Sequence, residues 1–351
     1  MKILYAIQAT GNGHIARAAE LLPYFRQYGT VDVFLSGSNA NLRPDFEVKY
    51  RSKGLSLFYG NRGGLDYKKM WRELDLRNTW REAKALPVEK YDLVINDFEC
   101  ITALSCRIKK VPSIHFGHQA SFRSPKTPRP TGKDLTGEFI LKNYACATAA
   151  VGLHFEKYDN FIFPPVIKQE ILQASPTDQG HITVYLSHYN DDVVARELKK
   201  IPDYRFEIFS KKVTQKTVDK NISFLPVGAE AFNRSMLHCH GMITGAGFET
   251  PAEILYLRKK LLCLPIRGQY EQLCNAAALQ QFQVPVLKTI DQNFPYMITK
   301  WLSSPNPLNL AITHSTYEIV QQVFETGHQL KTVKNHQYEF PLTEEDFAAL
   351  Y

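Results

Sequence analysis

Apolar positions in this chain fall into short unbroken runs more often than into alternation. Lys2 to Ile7, Val31 to Ser36, Tyr91 to Phe98, Val111 to Gln119 and Ala145 to His154 are such runs in the first half. His181 to Ser187, Tyr204 to Phe209 and the run from Gly241 follow in the second. A run of this length bounded by turn residues reads as a strand buried on both faces, the pattern of parallel sheets. Between the runs the spacing changes to the helical period: Ala18, Leu21, Leu22 and Phe25 mark a helix over about Ile15 to Tyr28. Further helices are expected over Leu65 to Ala85, Phe98 to Lys110, Asp191 to Lys199, Ala229 to Leu237, Asp291 to Leu302 and Thr313 to Thr326. Shorter strands are expected at Phe46 to Tyr50, Leu55 to Tyr59 and Phe282 to Leu287. Strand, turn and helix recurring in this order predict an α/β protein with mainly parallel sheets.

The order breaks once, at Phe161-Ile162-Phe163-Pro164-Pro165-Val166, where paired prolines disfavour helix and stiffen a linker. At 351 residues the chain exceeds one ordinary core, and it suits two domains of roughly 150 to 170 residues. The expected division is residues 1–163, residues 168–330 and a charged tail over residues 331–351.

The chemistry concentrates in Gly241 to Ala276, GMITGAGFETPAEILYLRKKLLCLPIRGQYEQLCNA. An apolar strand ends at Thr244, and Gly245-Ala246-Gly247 turns into a helix at Phe248. The first N–H groups of a helix lack internal partners and lie at the positive end of its dipole, so an anion docks there without a cationic side chain. Gly245 and Gly247 let a phosphate approach the backbone closely, or merely relieve crowding at a strand-to-helix turn. Glu253, six residues after Gly247, can accept bonds from the vicinal hydroxyls of a ribose. Glu271, Gln272 and Asn275 fall within one turn of the next helix, which suits the hydroxyls of a hexose.

The first strand ends in Gln8-Ala9-Thr10-Gly11-Asn12-Gly13-His14. Gly11-x-Gly13-x-x-Ala16 fits the loose dinucleotide fingerprint, but that site needs an acid at the end of the second strand, which here ends in Ser36-Gly37. His14 suits a general base because its ordinary pKa lies near working pH. Asp97, at the carboxyl end of its strand, can orient such a histidine and stabilise the imidazolium, or can cap the following helix. His118, past the next strand end, is the second candidate for the base or for an acceptor contact, whereas His115 lies inside the strand. The basic, proline-rich loop Ser124 to Lys133 is expected to be mobile and to close over the acceptor.

Taken together, Gly-x-Gly with a helical Glu, an apolar proline-containing strand and Glu-Gln-x-x-Asn-Ala resemble the donor site of GT-B glycosyltransferases. The similar families are those of the lipid-II-forming N-acetylglucosaminyltransferase and the plant and antibiotic glucosyltransferases. The resemblance implies two Rossmann-like α/β domains facing across a cleft, and a nucleotide-diphospho-sugar donor, UDP-linked, used with inversion and without metal or cofactor. It implies that Thr244, Gly245, Ala246, Gly247 and Phe248 hold the diphosphate, Glu253 the ribose, and Glu271, Gln272 and Asn275 the sugar. It places the Gly11 and Gly13 loop opposite the donor, with His14 as base and Asp97 as its partner, and Ser187 beside phosphate or ribose. Phe224 to Val227 falls where that resemblance puts the uracil pocket. Many relatives carry a histidine ahead of the glycine turn; Thr244 stands there in this chain and brings no positive charge.

Composition alters this picture little. Hydrophobic residues make up 44% of the chain, so disorder does not organise it. The net charge is +7, crowded into Arg107 to Lys133 and Lys199 to Lys220, which favours anionic substrates or peripheral contact with an anionic membrane face. No stacking-aromatic motif accompanies these charges, so nucleic acid is not an expected partner. Six cysteines lack paired metal spacing, and His238-Cys239-His240 cannot converge on one ion. The opening strand breaks at Gln8, leaving no signal-like apolar core, and the expected location is the cytoplasm. The acceptor is open: lipid, glycan or small aglycone. A sugar-nucleotide epimerase or hydrolase, or a non-catalytic sugar-nucleotide-binding protein, would carry the same donor signature.

Overall fold

The computed structural model describes residues 1–9, 11–37, 44–54, 75–305, 312–314 and 316–332. The expected strand Leu55 to Tyr59, the loop Gly60 to Gly64, the first part of the helix from Leu65 and nearly all of the tail lie outside them.

The first half forms a sheet of seven parallel strands: β1 (Lys2–Gln8), β2 (Thr30–Ser36), β3 (Tyr50–Ser52), β4 (Leu93–Asp97), β5 (Ile114–Gly117), β6 (Ala149–Leu153) and β7 (Ile162–Phe163). Their spatial order is β3-β2-β1-β4-β5-β6-β7. Helices α1 (Asn12–Phe25), α2 (Leu76–Ala85), α3 (Cys100–Lys109) and α4 (Leu135–Asn143) cover it. Burial on both faces explains the unbroken apolar runs: Ile3 to Ile7 are fully buried, with odd and even positions packed into different clusters. The second half follows a short helix, α5 (Gln169–Leu172). Its strands are β8 (His181–Tyr185), β9 (Arg205–Ser210), β10 (Thr217–Asp219), β11 (Ile222–Pro226), β12 (Gly241–Thr244) and β13 (Lys260–Cys263). They run in the order β10-β11-β9-β8-β12-β13, antiparallel only between β10 and β11. Helices α6 (Asp191–Leu198), α7 (Ala229–His238), α8 (Glu249–Tyr256), α9 (Tyr270–Gln281), α10 (Phe294–Ser303) and α11 (Thr316–Thr332) complete it.

In both sheets the chain starts in the middle and reverses direction once. The reversal falls between β1 and β4 in the first and between β8 and β12 in the second. Open α/β sheets bind ligands at the carboxyl ends of strands beside such a reversal, because adjacent loops there splay to opposite faces and leave a crevice. His14 follows β1 in the first turn of α1 and Asp97 ends β4, while Ser187 and Gly245 lie just beyond β8 and β12.

Several local expectations change. Helix α1 starts at Asn12, three residues before the first apolar helical position, so Gly13 and His14 belong to its first turn. Strand β3 begins at Tyr50, where it pairs with Phe34, while Phe46 to Lys49 precede it without strand pairing. Phe282 to Leu287 forms a single parallel bridge, Val286 to Cys263, because Gln283 takes a positive φ of 60° and Pro285 has no N–H to give a ladder. The loop Ser124 to Lys133 is anchored over its first half. Ser124 donates to Asp159 at 2.7 Å, Thr127 to the Ser121 carbonyl at 2.7 Å, and Arg129 to the Phe122 carbonyl at 2.9 Å and to Glu138.

Helix α11 returns to the first half. Phe324 stacks on Tyr28 at 3.7 Å and meets the edge of Phe25 at 5.8 Å. One apolar cluster therefore runs from β1 and α1 through α8, β13 and α11, and ties the two sheets together. Among the described residues no helix is long and apolar enough to cross a membrane.

Candidate active site

A cavity of about 450 Å³ opens between the carboxyl ends of the two sheets. From the first half it is lined by Gly11, Asn12, Gly13, His14, His118 and Gln119. From the second come Ser187, Thr244, Gly245, Gly247, Phe248, Glu271 and Gln272. The two glycine loops thus face one another. A Cβ on Gly13 would lie 2.4 Å from a Glu249 carboxylate oxygen, so any larger residue there would have to displace the Glu249 side chain. Gly11 and Gly247 border open space instead, and a Cβ on either would meet nothing within 4 Å.

His14 and Asp97 meet at 2.9 Å between Nδ1 and Oδ1. Asp97 is fully buried and also takes Arg17, through Nε at 3.1 Å and through Nη2 at 2.8 and 2.9 Å. Burial pushes the Asp97 carboxyl up, but Arg17 and then His14 outweigh it and hold it well below the ordinary carboxylate range. Arg17 is held cationic in the same way, burial opposing and the Asp97 and Glu249 charges prevailing. Its Nη2 lies 3.1 Å from His14 Nδ1 but already serves both Asp97 oxygens. An ionised carboxylate only accepts, so the hydrogen-bond network assigns the His14 proton to Nδ1 and turns the Nε2 lone pair toward the cavity, where Gln119 Nε2 lies 3.4 Å away. Nε2 is the atom a general base requires.

Across the cleft, Phe248 is the N-cap residue of α8, and Gly245 and Gly247 lead into it. Thr244 lies at the end of β12 and lines the cavity. Glu271 reaches the same space from the first turn of α9. Gln272 also lines it, while its Oε1 accepts the Ile266 N–H at 2.9 Å and pins the turn after β13.

Three residues expected at the ligand, Asn275, His118 and Glu253, are engaged with other protein groups. Asn275 is fully buried; its Nδ2 donates to the Ala246 carbonyl at 3.1 Å and its Oδ1 meets His118 Nε2 at 2.7 Å. It fastens the glycine turn to the first half. Ala246 is buried and its carbonyl accepts from Asn275, a contact that does not involve the N–H expected to face the diphosphate. His118 has Nδ1 against the Leu153 carbonyl at 3.0 Å as well, and its ring stacks on Phe248 at 4.0 Å. Both its nitrogens lie against protein oxygens rather than open space, and burial lowers its proton affinity. Glu253 lies a full turn beyond Glu249 on α8, outside the cavity lining, with Lys168 Nζ 3.1 Å from Oε1. Phe224 to Val227 also lies outside the lining.

The family profile of glycosyl transferase family 1 matches residues 1–304. The chain belongs to that family. No curated protein sequence matches it. Among solved structures it is similar to the Arabidopsis thaliana UGT89C1 complexed with UDP-L-rhamnose, with 12% identity and a TM-score of 0.62 over 93% of this chain and 98% of the other. It is similar to MurG of Acinetobacter baumannii, with 14% identity and a TM-score of 0.54 over 92% and 99%. Phytolacca americana UGT2, complexed with UDP-2fluoro-glucose and pterostilbene, is 13% identical with a TM-score of 0.55 over 100% and 99%. At these identities the likeness establishes the GT-B fold, two mainly parallel sheets with interleaved helices.

For a glycosyl transferase family 1 chain, the cavity also holds residues that the motifs passed over. Arg17 sits one helical turn after His14, where helical spacing could have brought it to notice as a neighbour of the base. Glu249 and Gln119 carry no motif, and Lys211 was one charge among many between Lys199 and Lys220. The loop after β9 brings Lys211 to the lining beside Ser187 and His188. Among the described residues the His188 ring has no hydrogen-bond partner at either buried nitrogen, and burial pushes its pKa down to about 4.

Proposed function

We propose that this protein transfers a sugar from a UDP-linked donor to an acceptor hydroxyl by direct displacement with inversion and without metal. The observation that carries the reading is His14, oriented by ionised Asp97, facing the open amino end of α8 across one cavity. His14 Nε2 takes the acceptor proton as that oxygen attacks the anomeric carbon. The bond from that carbon to the diphosphate breaks, and backbone donors around Gly247 with Thr244 stabilise the departing charge. Proton uptake makes the ring cationic, and Asp97 offsets that charge at the moment it forms.

Glu271 and Gln272 are the sugar-side contacts on this reading, and Ser187 and Lys211 the phosphate-side contacts. Residues 1–163 then present the acceptor and residues 168–330 hold the donor. A uridine donor is favoured by the UDP and UDP-L-rhamnose complexes of the similar plant enzyme. The basic stretch Arg107 to Lys133 belongs to the acceptor half and suits an acceptor carried at an anionic membrane face on the cytoplasmic side.

Calorimetric titration with UDP, UDP-glucose and UDP-N-acetylglucosamine tests the donor site, and saturable binding is expected. Incubating each donor alone and then with lipid, glycan and aglycone acceptors tests the reaction. Product formation only with an acceptor supports transfer; turnover of donor alone as fast as with acceptor points to an epimerase or hydrolase.

A further inference from the structure

Gln119 follows β5 in a short 3-10 turn and is 3% exposed. Its Nε2 lies 3.4 Å from His14 Nε2 and 3.1 Å from Glu271 Oε2. The first contact is to the lone pair of the base, since the ring proton is on Nδ1 facing Asp97. The second is to a carboxylate at the sugar end of the cavity. Both neighbours accept, so the amide must present its N–H groups to them; turned over, its oxygen would face a lone pair and a carboxylate. That orientation leaves Gln119 Oε1 buried and without a partner among the described residues. The side chain therefore gives up satisfaction of its own oxygen to cap His14.

An acceptor hydroxyl must donate to His14 Nε2 from this same side, with its oxygen close to the anomeric carbon. Gln119 occupies that position while the acceptor is absent. We infer that Gln119 is a specificity-determining residue that caps the base against water, releasing it only to a hydroxyl carried in by an acceptor. The inference rests on His14 acting as the base. The reaction it prevents is hydrolysis: a water oxygen bonds to the anomeric carbon while its proton passes to His14 Nε2. The carbon–oxygen bond to the diphosphate breaks, and its electron pair leaves with the diphosphate. An acceptor bound through the rest of its structure can offset the loss of the cap, whereas a lone water displaces a hydrogen bond and brings no further contacts.

The test compares wild type, Gln119→Ala and Gln119→Met for UDP release from UDP-glucose and UDP-N-acetylglucosamine without acceptor. UDP affinity is measured in parallel. Gln119→Ala is expected to raise donor hydrolysis about tenfold at unchanged UDP affinity, and the double variant with His14→Ala to return it to background. Gln119→Met keeps the volume but removes the N–H groups, and is also expected to exceed wild type. Hydrolysis at the wild-type rate in both variants, with UDP bound normally, overturns the inference. Failure of wild type to bind any uridine nucleotide overturns the donor assignment instead, so the two failures are distinct.

Discussion

His14 and Asp97 are 83 residues apart in sequence and 2.9 Å apart in space, one at the exit of β1 and the other at the end of β4. Parallel pairing of those strands brings them together, with Ile7 opposite Asp97 in register. Arg17 completes the arrangement by gripping the carboxylate from the other side, which keeps Asp97 ionised although it is fully buried.

Removing either member of this pair should separate chemistry from binding. His14→Ala is expected to abolish transfer while leaving UDP affinity within about twofold, because the base contributes on the order of 10² to 10⁴ in rate. Asp97→Asn retains the shape but removes the charge that fixes the tautomer, and a loss on the order of 10² or more in kcat is expected. Steady-state kinetics beside calorimetry decide it; equal activity in His14→Ala would remove this residue as the base.

How much of this was legible in the sequence follows from what each signal depends on. The buried runs and the glycine turns are local, and β1, β4, β8 and β12 with their loops were readable as strand ends. Asp97 could be placed as a partner of His14 because both are strand-end residues in an alternating α/β pattern. Asn275 and Glu253 show the limit: their motif positions fit a donor, but the structure spends Asn275 on Ala246 and His118, and Glu253 on Lys168. Those contacts join segments 29 to 157 residues apart and leave no trace in local spacing. Gln119 and Glu249 were invisible for the same reason, since each owes its position to the closure of one half on the other. The interruption of Phe282 to Leu287 depends on Gln283 entering a left-handed conformation, which apolar periodicity does not report.

Glu249 brings an unexpected negative charge to the site. It stands in the first turn of α8, lines the cavity and is bound by Arg17. Arg17 carries one positive charge and serves two carboxylates, Asp97 and Glu249, so one negative charge is uncompensated beside the expected diphosphate. Glu249→Gln should therefore tighten UDP binding by about fivefold, the size expected for removing one nearby like charge in a partly solvated site. Titration at low salt reads this directly. Weaker binding would mean that Glu249 holds the nucleotide instead of repelling it.

Lys211 should supply the positive charge that Thr244 lacks. Lys211→Ala is expected to weaken UDP binding by roughly three- to tenfold at low ionic strength, and by less in 0.5 M salt, because an exposed cation is screened. Lys212 is the control, since its Nζ donates to Asn190 Oδ1 at 2.8 Å. Lys212→Ala should leave UDP affinity nearly unchanged. Equal losses in the two variants would assign the effect to the general basic field of this segment.

Acid stability should report on His115, which lies within β5, is buried, and has no partner for Nε2 among the described residues. Burial, and then Arg123, push it from 6.5 down to about 3. Between those values the unfolded chain binds a proton that the native ring refuses, so native stability falls as pH is lowered through this window. Above 6.5 the residue contributes no pH dependence. The slope for one proton is about 1.4 kcal/mol per pH unit. Glu99 and Glu253, raised by burial, act in the opposite sense and mask part of this in the wild-type curve. A comparison with His115→Phe removes that masking, because both carboxyls are common to the two proteins. Denaturant midpoints measured from pH 7.5 to 4.5 should show the variant gaining on wild type only below about pH 6.5, by roughly 2 kcal/mol at pH 5. A constant difference across the range would mean that the native ring takes up its proton as the unfolded chain does, so that burial does not hold it neutral.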